Sequence, residues 1–340
     1  MRRASLSLAL LSLSGLIGGA CTSMGGAGAP GGEGGAGVGV GGSSGGGSGQ
    51  VITGAGGGAG PVGADETLCG AVALTANKIV AAGKTVAICA GSTLTFSADV
   101  GLTVNGRLRV QGSAQLPVKL VGATASAGGW AGLVLNGGGD LSATYLEIRH
   151  ATTALAARPA STYAIDHLVI DNSAALLVLS SSGTIAHGTL RGLGSAQSQS
   201  PVLIYNASPH ITDTSVTQGL YPGIDMIIVG GASSAPLFDH VEVADSHCAF
   251  HFNESTGAVI TNSWVHHNAY AFMLGVSVDG HINHNNFQDN QVNLGTCAGA
   301  SLEVKDNYFE GAAFDDACAT LTTSGTAPAG PYSTGVGPQP

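Results

Sequence analysis

Residues 260–309 read ITNSWVHHNAYAFMLGVSVDGHINHNNFQDNQVNLGTCAGASLEVKDNYF, and this stretch contains three copies of one pattern. The copies ITNSWV, INHNNF and VKDNYF begin at residues 260, 282 and 304, so the pattern returns every 22 residues. A unit of that length is too short for two helices, but it fits one turn of a parallel β-coil with three short strands. The stretch therefore predicts a solenoid.

The same pattern extends towards the N-terminus. Five earlier copies are ATYLEI at 143, IDHLVI at 165, IAHGTL at 185, ITDTSV at 211 and FDHVEV at 238. The eight copies are spaced by 22, 20, 26, 27, 22, 22 and 22 residues, and the two longer intervals hold the loops GLGSAQSQSP and VGGASSAP. We predict an all-β chain folded as a right-handed parallel β-helix of roughly ten to eleven coils.

Apolar columns support this fold, because coils stacked about 4.8 Å apart must keep their inward positions apolar in every turn. The first residues of the eight copies are Ala143, Ile165, Ile185, Ile211, Phe238, Ile260, Ile282 and Val304. Five residues further on lie Ile148, Ile170, Leu190, Val216, Val243, Val265, Phe287 and Phe309. Twelve residues on, five regular copies supply Leu155, Leu177, Phe250, Phe272 and Leu294. A helical period of 3.6 residues does not reproduce these columns.

A polar column runs beside the apolar ones. The third residues of the copies are Tyr145, His167, His187, Asp213, His240, Asn262, His284 and Asp306. Stacked imidazoles and carboxylates could bind a divalent metal or supply an acid and a base, and an exterior ladder of turn residues explains them equally. The catalytic candidates are Asp213, Asp239 and His240, and the metal candidates are His240 and His284. The two histidines lie two coils, about 10 Å, apart, which is too far for direct sharing of one zinc.

Two other polar features accompany the repeats. Asn268 falls one coil from Asn290, and this register predicts a short asparagine ladder with amides bonded along the stack. The segment HCAFH at 247–251 looks like half of a metal site, but Phe250 and Phe252 fall in inward register. We therefore expect His251 to point outwards and no metal there.

Composition places the protein outside the cytoplasm and excludes nucleic acid as a partner. Arg2 and Arg3 precede the apolar run 6–17 and the small residues before Cys21, which is the order of an export signal too short to span a membrane. Cys21 resembles the lipidated cysteine of bacterial lipoproteins. Eleven Lys and Arg against 21 Asp and Glu give a net charge of −10, which disfavours polyanions.

The predicted domain organisation follows from composition. Residues 1–21 form the signal peptide, 22–66 a disordered glycine-rich tether, 67–320 the β-helix and 321–340 a disordered, proline-containing tail. We expect an exported monomer, either a lipoprotein of the outer membrane or cell surface or a secreted protein. The membrane is contacted only through an N-terminal lipid anchor.

Cysteine spacing predicts two disulfides that cap the β-helix. Cys69 and Cys89 are 20 residues apart, and Cys297 and Cys318 are 21 apart. Each spacing is close to one coil, so the partners would stack within the Cα separation that a disulfide accepts. Cys248 is the odd thiol, and we expect a small buried residue there.

The segment LTVNGRLRVQG at 102–112, followed by a proline-containing strand and GGWAGLVL at 128–135, resembles the opening coils of the right-handed β-helix superfamily that includes pectate lyases. The resemblance covers about residues 79–310 and implies the architecture alone. The superfamily includes pectin and alginate lyases, glycoside hydrolases, tailspikes and adhesins, so it does not select an activity.

Three functions remain open. The first is a surface-tethered or secreted β-helix with a structural, adhesive or glycan-binding role and no catalysis, contacting polysaccharide or cell-surface components without a cofactor. The second is a carbohydrate-active enzyme on neutral sugars that uses Asp213, Asp239 and His240, and the third is a divalent-metal binder. A polyuronate lyase is disfavoured, since it needs a cation to neutralise the substrate carboxylate. Between 150 and 318 the only such cations are Arg158, Arg191 and Lys305. We favour the first function.

Overall fold

A computed structural model describes residues 63–193, 201–219, 224–275, 277–295, 299–314, 319–325 and 327–339. These residues belong to one compact unit, Val51–Pro340. The predicted signal peptide, the lipidation candidate Cys21, most of the predicted tether and the predicted Cys297–Cys318 bridge lie outside the described residues. Within the described ranges, no helix has the length and apolar character of a membrane span.

The fold is a parallel β-solenoid of about 11 turns, which confirms the predicted all-β class. The first thirteen strands are β1 (Glu66–Leu68), β2 (Ala71–Leu74), β3 (Lys78–Val80), β4 (Thr85–Ile88), β5 (Thr93–Phe96), β6 (Gly101–Val104), β7 (Arg107–Gln111), β8 (Val118–Gly122), β9 (Trp130–Leu135), β10 (Asp140–Arg149), β11 (Ala151–Ala157), β12 (Thr162–Asp171) and β13 (Ala175–Leu179). The next nine are β14 (Thr184–Ala186), β15 (Thr189–Leu193), β16 (Val202–Tyr205), β17 (His210–Thr212), β18 (Ser215–Gly219), β19 (Asp225–Gly230), β20 (Leu237–Asp239), β21 (Glu242–Ala244) and β22 (Cys248–Phe252). The last nine are β23 (Ser255–Thr261), β24 (Trp264–His266), β25 (Tyr270–Leu274), β26 (Val278–Asn283), β27 (Asn286–Gln288), β28 (Val292–Leu294), β29 (Ala300–Lys305), β30 (Tyr308–Phe309) and β31 (Ala319–Ser324).

Most turns contribute three strands in sequence, and β10 and β12 each combine the first two strands of their turn. The third strands form a sheet of ten in the spatial order β28-β25-β22-β19-β16-β13-β11-β9-β6-β3. The first and second strands form the other set, in which each strand pairs with its counterparts in the adjacent turns. Parallel pairing with the adjacent turn explains why the sequence repeats: each residue stacks on the equivalent residue one turn later.

The predicted apolar columns are confirmed position by position. The first column pairs in the predicted order from Ala143 with Ile165 to Ile282 with Val304. The second column does so from Ile148 with Ile170 to Phe287 with Phe309. In the third column, Val202 and Ile227 fill the positions between Leu177 and Phe250 in the two longer repeats.

Aromatic rings fill the core towards its C-terminal end. The Phe250 and Phe272 rings stack with centroids 5.3 Å apart, and those of Phe287 and Phe309 stack at 4.9 Å. Phe314 lies against this group, 4.9 Å from Phe309 and 5.4 Å from Phe272. Phe314 therefore packs against the aromatic core of the last turns.

The first predicted disulfide is present. Cys69 and Cys89 are bonded, with their Cα atoms 5.0 Å apart, because they stand on adjacent turns at the N-terminal end of the solenoid. Cys248 is buried, and its sulfur lies 3.1 Å from the carbonyl oxygen of Phe250.

The C-terminal end differs from the predicted disordered tail at 321–340. Strand β31 pairs in parallel with β29, and this pairing sets Leu321 beside Leu302. Residues 327–339 then form hydrogen bonds to the solenoid through Tyr332, Gly337 and Gln339. The prolines that suggested disorder are compatible with this arrangement, because side chains of the solenoid satisfy part of the backbone of this segment.

The predicted asparagine ladder is confirmed, and a second one lies nearer the C-terminus. Asn290 Oδ1 accepts from Asn268 Nδ2 at 3.0 Å, and Asn268 Oδ1 accepts from the Ser246 hydroxyl at 2.7 Å. In the second ladder, Asn307 Oδ1 accepts from Asn285 Nδ2 at 2.9 Å. These amides, all buried except the partly exposed Asn290, bond the turns to one another.

Candidate functional site

The predicted polar column lies at the corner between the first and second strands of each turn. We call it the corner ladder; its members are Tyr145, His167, His187, Asp213, His240, Asn262, His284 and Asp306. All eight have a positive φ, between 46° and 59°. Asn, Asp and His tolerate this left-handed conformation better than other residues with a side chain, so the corner itself explains much of the composition of the column.

The backbone of the corner residues also forms hydrogen bonds between turns. The amide of Asp213 donates to the carbonyl oxygen of Asp239 at 3.1 Å, and the amide of His240 donates to the carbonyl oxygen of Thr261 at 3.1 Å. Corner residues thus bond each turn to the following one, while their side chains point outwards and remain partly exposed.

The structure brings the three catalytic candidates together at the corner. The carboxylates of the two aspartates, however, already contact other groups of the protein. Asp239 Oδ1 lies 2.8 Å from His240 Nδ1 and also accepts from Asn262 Nδ2 at 2.8 Å. Asp213 Oδ1 accepts from the Gln339 amide at 3.1 Å. This arrangement suits structural bonding between turns better than proton transfer to a substrate.

The two metal candidates, His240 and His284, are separated by Asn262 in the ladder. The amide of Asn262 bonds to His284 Nδ1 at 2.8 Å on one side and to Asp239 on the other. The two imidazoles are therefore linked through an amide and a carboxylate. His240 and His284 are therefore not adjacent to each other in the ladder.

Residues 327–339, which we call the C-terminal strap, run along the same corner from the turn of Asp306 to the turn of Asp213. The Tyr332 ring packs 3.9 Å from that of His284, and its backbone exchanges two hydrogen bonds of 2.9 Å with the Asn286 side chain. Further along, the Gly337 amide donates to the carbonyl oxygen of Asn262 at 2.9 Å. Sequence reasoning missed this contact; the only signal was Tyr332, the sole aromatic residue after position 319.

A different group forms at the start of the ladder. The rings of Tyr145 and His167 stack at 4.0 Å, and those of His167 and His187 at 4.7 Å. Asp166 Oδ1 lies 2.7 Å from His187 Nδ1 and 3.1 Å from His167 Nδ1. Asp166, which the sequence did not single out, thus joins two imidazoles from adjacent turns.

The charge on Asp166 is stabilised at this position. Partial burial would raise the pKa of its carboxyl, but the hydrogen bond from His187 and the nearby imidazole of His167 outweigh that effect and leave the pKa below its usual range. The group is therefore an ionised carboxylate beside two imidazoles near neutral pH.

Two further histidine clusters lie away from the corner. On the third-strand sheet, Asp225 contacts His247 Nδ1 at 3.1 Å and His251 Nδ1 at 2.7 Å. Burial would raise the pKa of Asp225, but these two bonds lower it overall. His251 is partly exposed as predicted, and Phe250 and Phe252 are buried.

The second cluster lies on the second strands. Glu242 accepts from the Ser215 hydroxyl at 2.6 Å and lies 3.1 Å from His266 Nε2. The Trp264 ring stacks on His266 at 3.8 Å. The bond to His266 is the main reason why the pKa of Glu242 lies below its usual range.

No protein-family model matches the chain, and no curated protein is similar to it. The assignment of function therefore rests on the geometry of the corner ladder and of these clusters.

Proposed function

We propose that this protein is an exported, surface-tethered or secreted β-helix with an adhesive role, which binds a neutral glycan along the corner ladder and catalyses no reaction. The observation that carries the proposal is the strap: an uncharged segment already lies on this corner and bonds to the Asn286 side chain, the Asn262 carbonyl oxygen and the Asp213 carboxylate. A neutral polysaccharide is likewise uncharged and presents hydroxyl groups to the same kinds of acceptor and donor.

The chemistry of the corner suits a neutral ligand. Asparagine and aspartate side chains bond to hydroxyls, and rings such as Tyr145 and Tyr332 offer apolar faces with a polar edge. The same region contains few cations, so an anionic polymer would lack the partners that it needs. We also propose that the chain belongs to the right-handed β-helix superfamily. Two features support this: the parallel solenoid, and the opening-coil motif at 102–112 and 128–135.

Binding to a panel of neutral and acidic polysaccharides, measured by affinity electrophoresis and calorimetry, tests the proposal. We expect retention by at least one neutral glycan, weaker retention by pectate and alginate, and loss of binding in Tyr145→Ala. The variant Ile79→Ser, at an exposed position on the first turn, is the control and should bind like the wild type. Binding confined to acidic polymers would contradict the proposal, and so would the absence of binding to every glycan tested.

The enzymatic alternative is tested in the same samples. We expect no release of reducing ends and no unsaturated product from any of these polymers. Product that is formed by the wild type and lost in Asp213→Ala or His240→Ala would show that the corner is an active site.

A further inference from the structure

We propose that Asp166, His167 and His187 bind a divalent late first-row transition metal, with Zn²⁺ as the expected ion. Its two histidines belong to the corner ladder, but the site does not include His240 and His284, the two metal candidates named from the sequence, and ion binding does not require a glycan.

The three side chains converge on one point. One potential ligand atom from each residue lies within 4.8 Å of the other two. In a tetrahedral zinc site with bonds of about 2.0 Å, ligand atoms lie about 3.3 Å apart. The present separations of 2.7 Å and 3.1 Å from the Asp166 oxygen are slightly shorter, and the two rings stack nearly parallel, so the His167 ring must turn out of the stack for both nitrogens to face one ion.

The donor set selects the class of metal. Two imidazole nitrogens and one carboxylate oxygen suit Zn²⁺, Co²⁺, Ni²⁺ and Cu²⁺, whereas Ca²⁺ and Mg²⁺ require shells made of oxygen atoms. The ionised Asp166 offsets one of the two positive charges of the ion. The side chains of Asp166, His167 and His187 are 48%, 36% and 38% exposed, which leaves room for water to complete the coordination.

The fold fixes the backbone of the two histidines before an ion arrives. The corner fixes the backbones of His167 and His187 at φ values of 59° and 51°, and the Tyr145 ring of the preceding turn stacks on the His167 ring. His167 Nδ1 is shielded from solvent and has no hydrogen-bond partner among the described residues. Asp166 Oδ1 lies 3.1 Å from this nitrogen, but the angle of the contact is unfavourable for a hydrogen bond. A buried nitrogen without a partner is costly, and coordination to a metal would satisfy it.

A near-copy of the site elsewhere in the ladder supplies a control. The segments IDH at 165–167 and IAH at 185–187 place an Asp-His pair below a histidine. In the segments FDH at 238–240 and ITN at 260–262, the pair Asp239 and His240 stands one turn before Asn262. An uncharged amide is a much weaker ligand for these metals than imidazole, so the second copy should not bind the ion.

The test uses the full chain without an affinity tag, treated with EDTA and dialysed. Zn²⁺ binding is measured by calorimetry, and Co²⁺ binding by its visible absorption. We expect one strongly bound ion per chain, and a dissociation constant raised about tenfold or more in His187→Asn and Asp166→Asn, because even the loss of an outer-shell partner of a ligand commonly weakens binding tenfold or more. Asparagine tolerates the corner conformation, so His187→Asn should fold. His240→Asn should bind like the wild type.

Circular dichroism verifies the fold of each variant, and His167→Asn replaces any variant that does not fold. Unchanged affinity in both folded ligand variants would overturn the site, and so would an equal loss in His240→Asn. Tighter binding of Ca²⁺ than of Zn²⁺ would overturn the assignment of the metal class.

Discussion

Asn285→Ala tests the idea that the buried asparagine ladder stabilises the stacking of the C-terminal turns. Asn285 is fully buried; its Oδ1 accepts from the Ser263 amide at 2.8 Å, and its Nδ2 donates to the carbonyl oxygen of Ile260 at 3.0 Å and to Asn307 Oδ1 at 2.9 Å. Alanine removes all three bonds. It also leaves the Ser263 amide buried without a partner.

The magnitude follows from these bonds. Each lost hydrogen bond lowers the free energy of unfolding by about 1 kcal/mol, and an unsatisfied buried group adds a further penalty of about 1–3 kcal/mol. We expect Asn285→Ala to lower the free energy of unfolding by about 4 kcal/mol. Asn290→Ala is the matched control. Asn290 is the second residue of the other ladder and forms a comparable set of bonds, but it is partly exposed, so water can replace its bonds and the loss should be about 1–2 kcal/mol.

Denaturation in urea, followed by circular dichroism, measures the difference between the two variants. Because solenoids unfold in parts when cooperativity is lost, hydrogen exchange of the β24 and β27 amides is measured in parallel. An equal effect in the two variants, or a loss below about 1 kcal/mol in Asn285→Ala, would refute the view that buried ladder bonds hold these turns together.

Three other predictions concern separate parts of the protein. Replacing Cys69 and Cys89 by serine should destabilise the first turn by about 3 kcal/mol, since the bond closes a loop of 20 residues; urea denaturation with and without reductant checks this. The lowered pKa of Glu242 stabilises the fold above its unfolded value of 4.5, and this contribution disappears as the pH falls through the lower folded pKa. Glu242→Gln should therefore flatten the acid branch of Tm against pH; an unchanged branch would contradict this. Tyr332→Ala should speed proteolysis within 327–339 while the Tm of the solenoid stays close to that of the wild type, and equal cleavage rates would show that the ring does not hold the strap.

The periodic part of the fold could be read from the sequence because parallel stacking makes each inward position repeat. Ile260, Ile282 and Val304 recur at the turn length, and this recurrence alone identified strand register across eight copies. The spacing did not predict the strand register only in the third column of the two longer repeats. There the loops shifted Val202 and Ile227 from the expected spacing, while the strands still paired in line.

The candidate site was predictable only in outline. The sequence identified the polar column, but not that its members share a left-handed corner or that Asp166 reaches the imidazole of the next turn. Side-chain direction at a corner depends on backbone dihedrals, which a spacing does not encode. The signal peptide, the lipidation of Cys21 and the Cys297–Cys318 bridge remain predictions.

The sequence by itself determined the turns, their length and their apolar interior, since these follow from local periodicity. Only the tertiary structure decided where the non-repeating residues lie. Phe314 packs on the aromatic core of the last turns, and Tyr332 packs on His284, 48 positions earlier. Such contacts have no period, so their energy depends on surfaces that exist only after the turns have stacked.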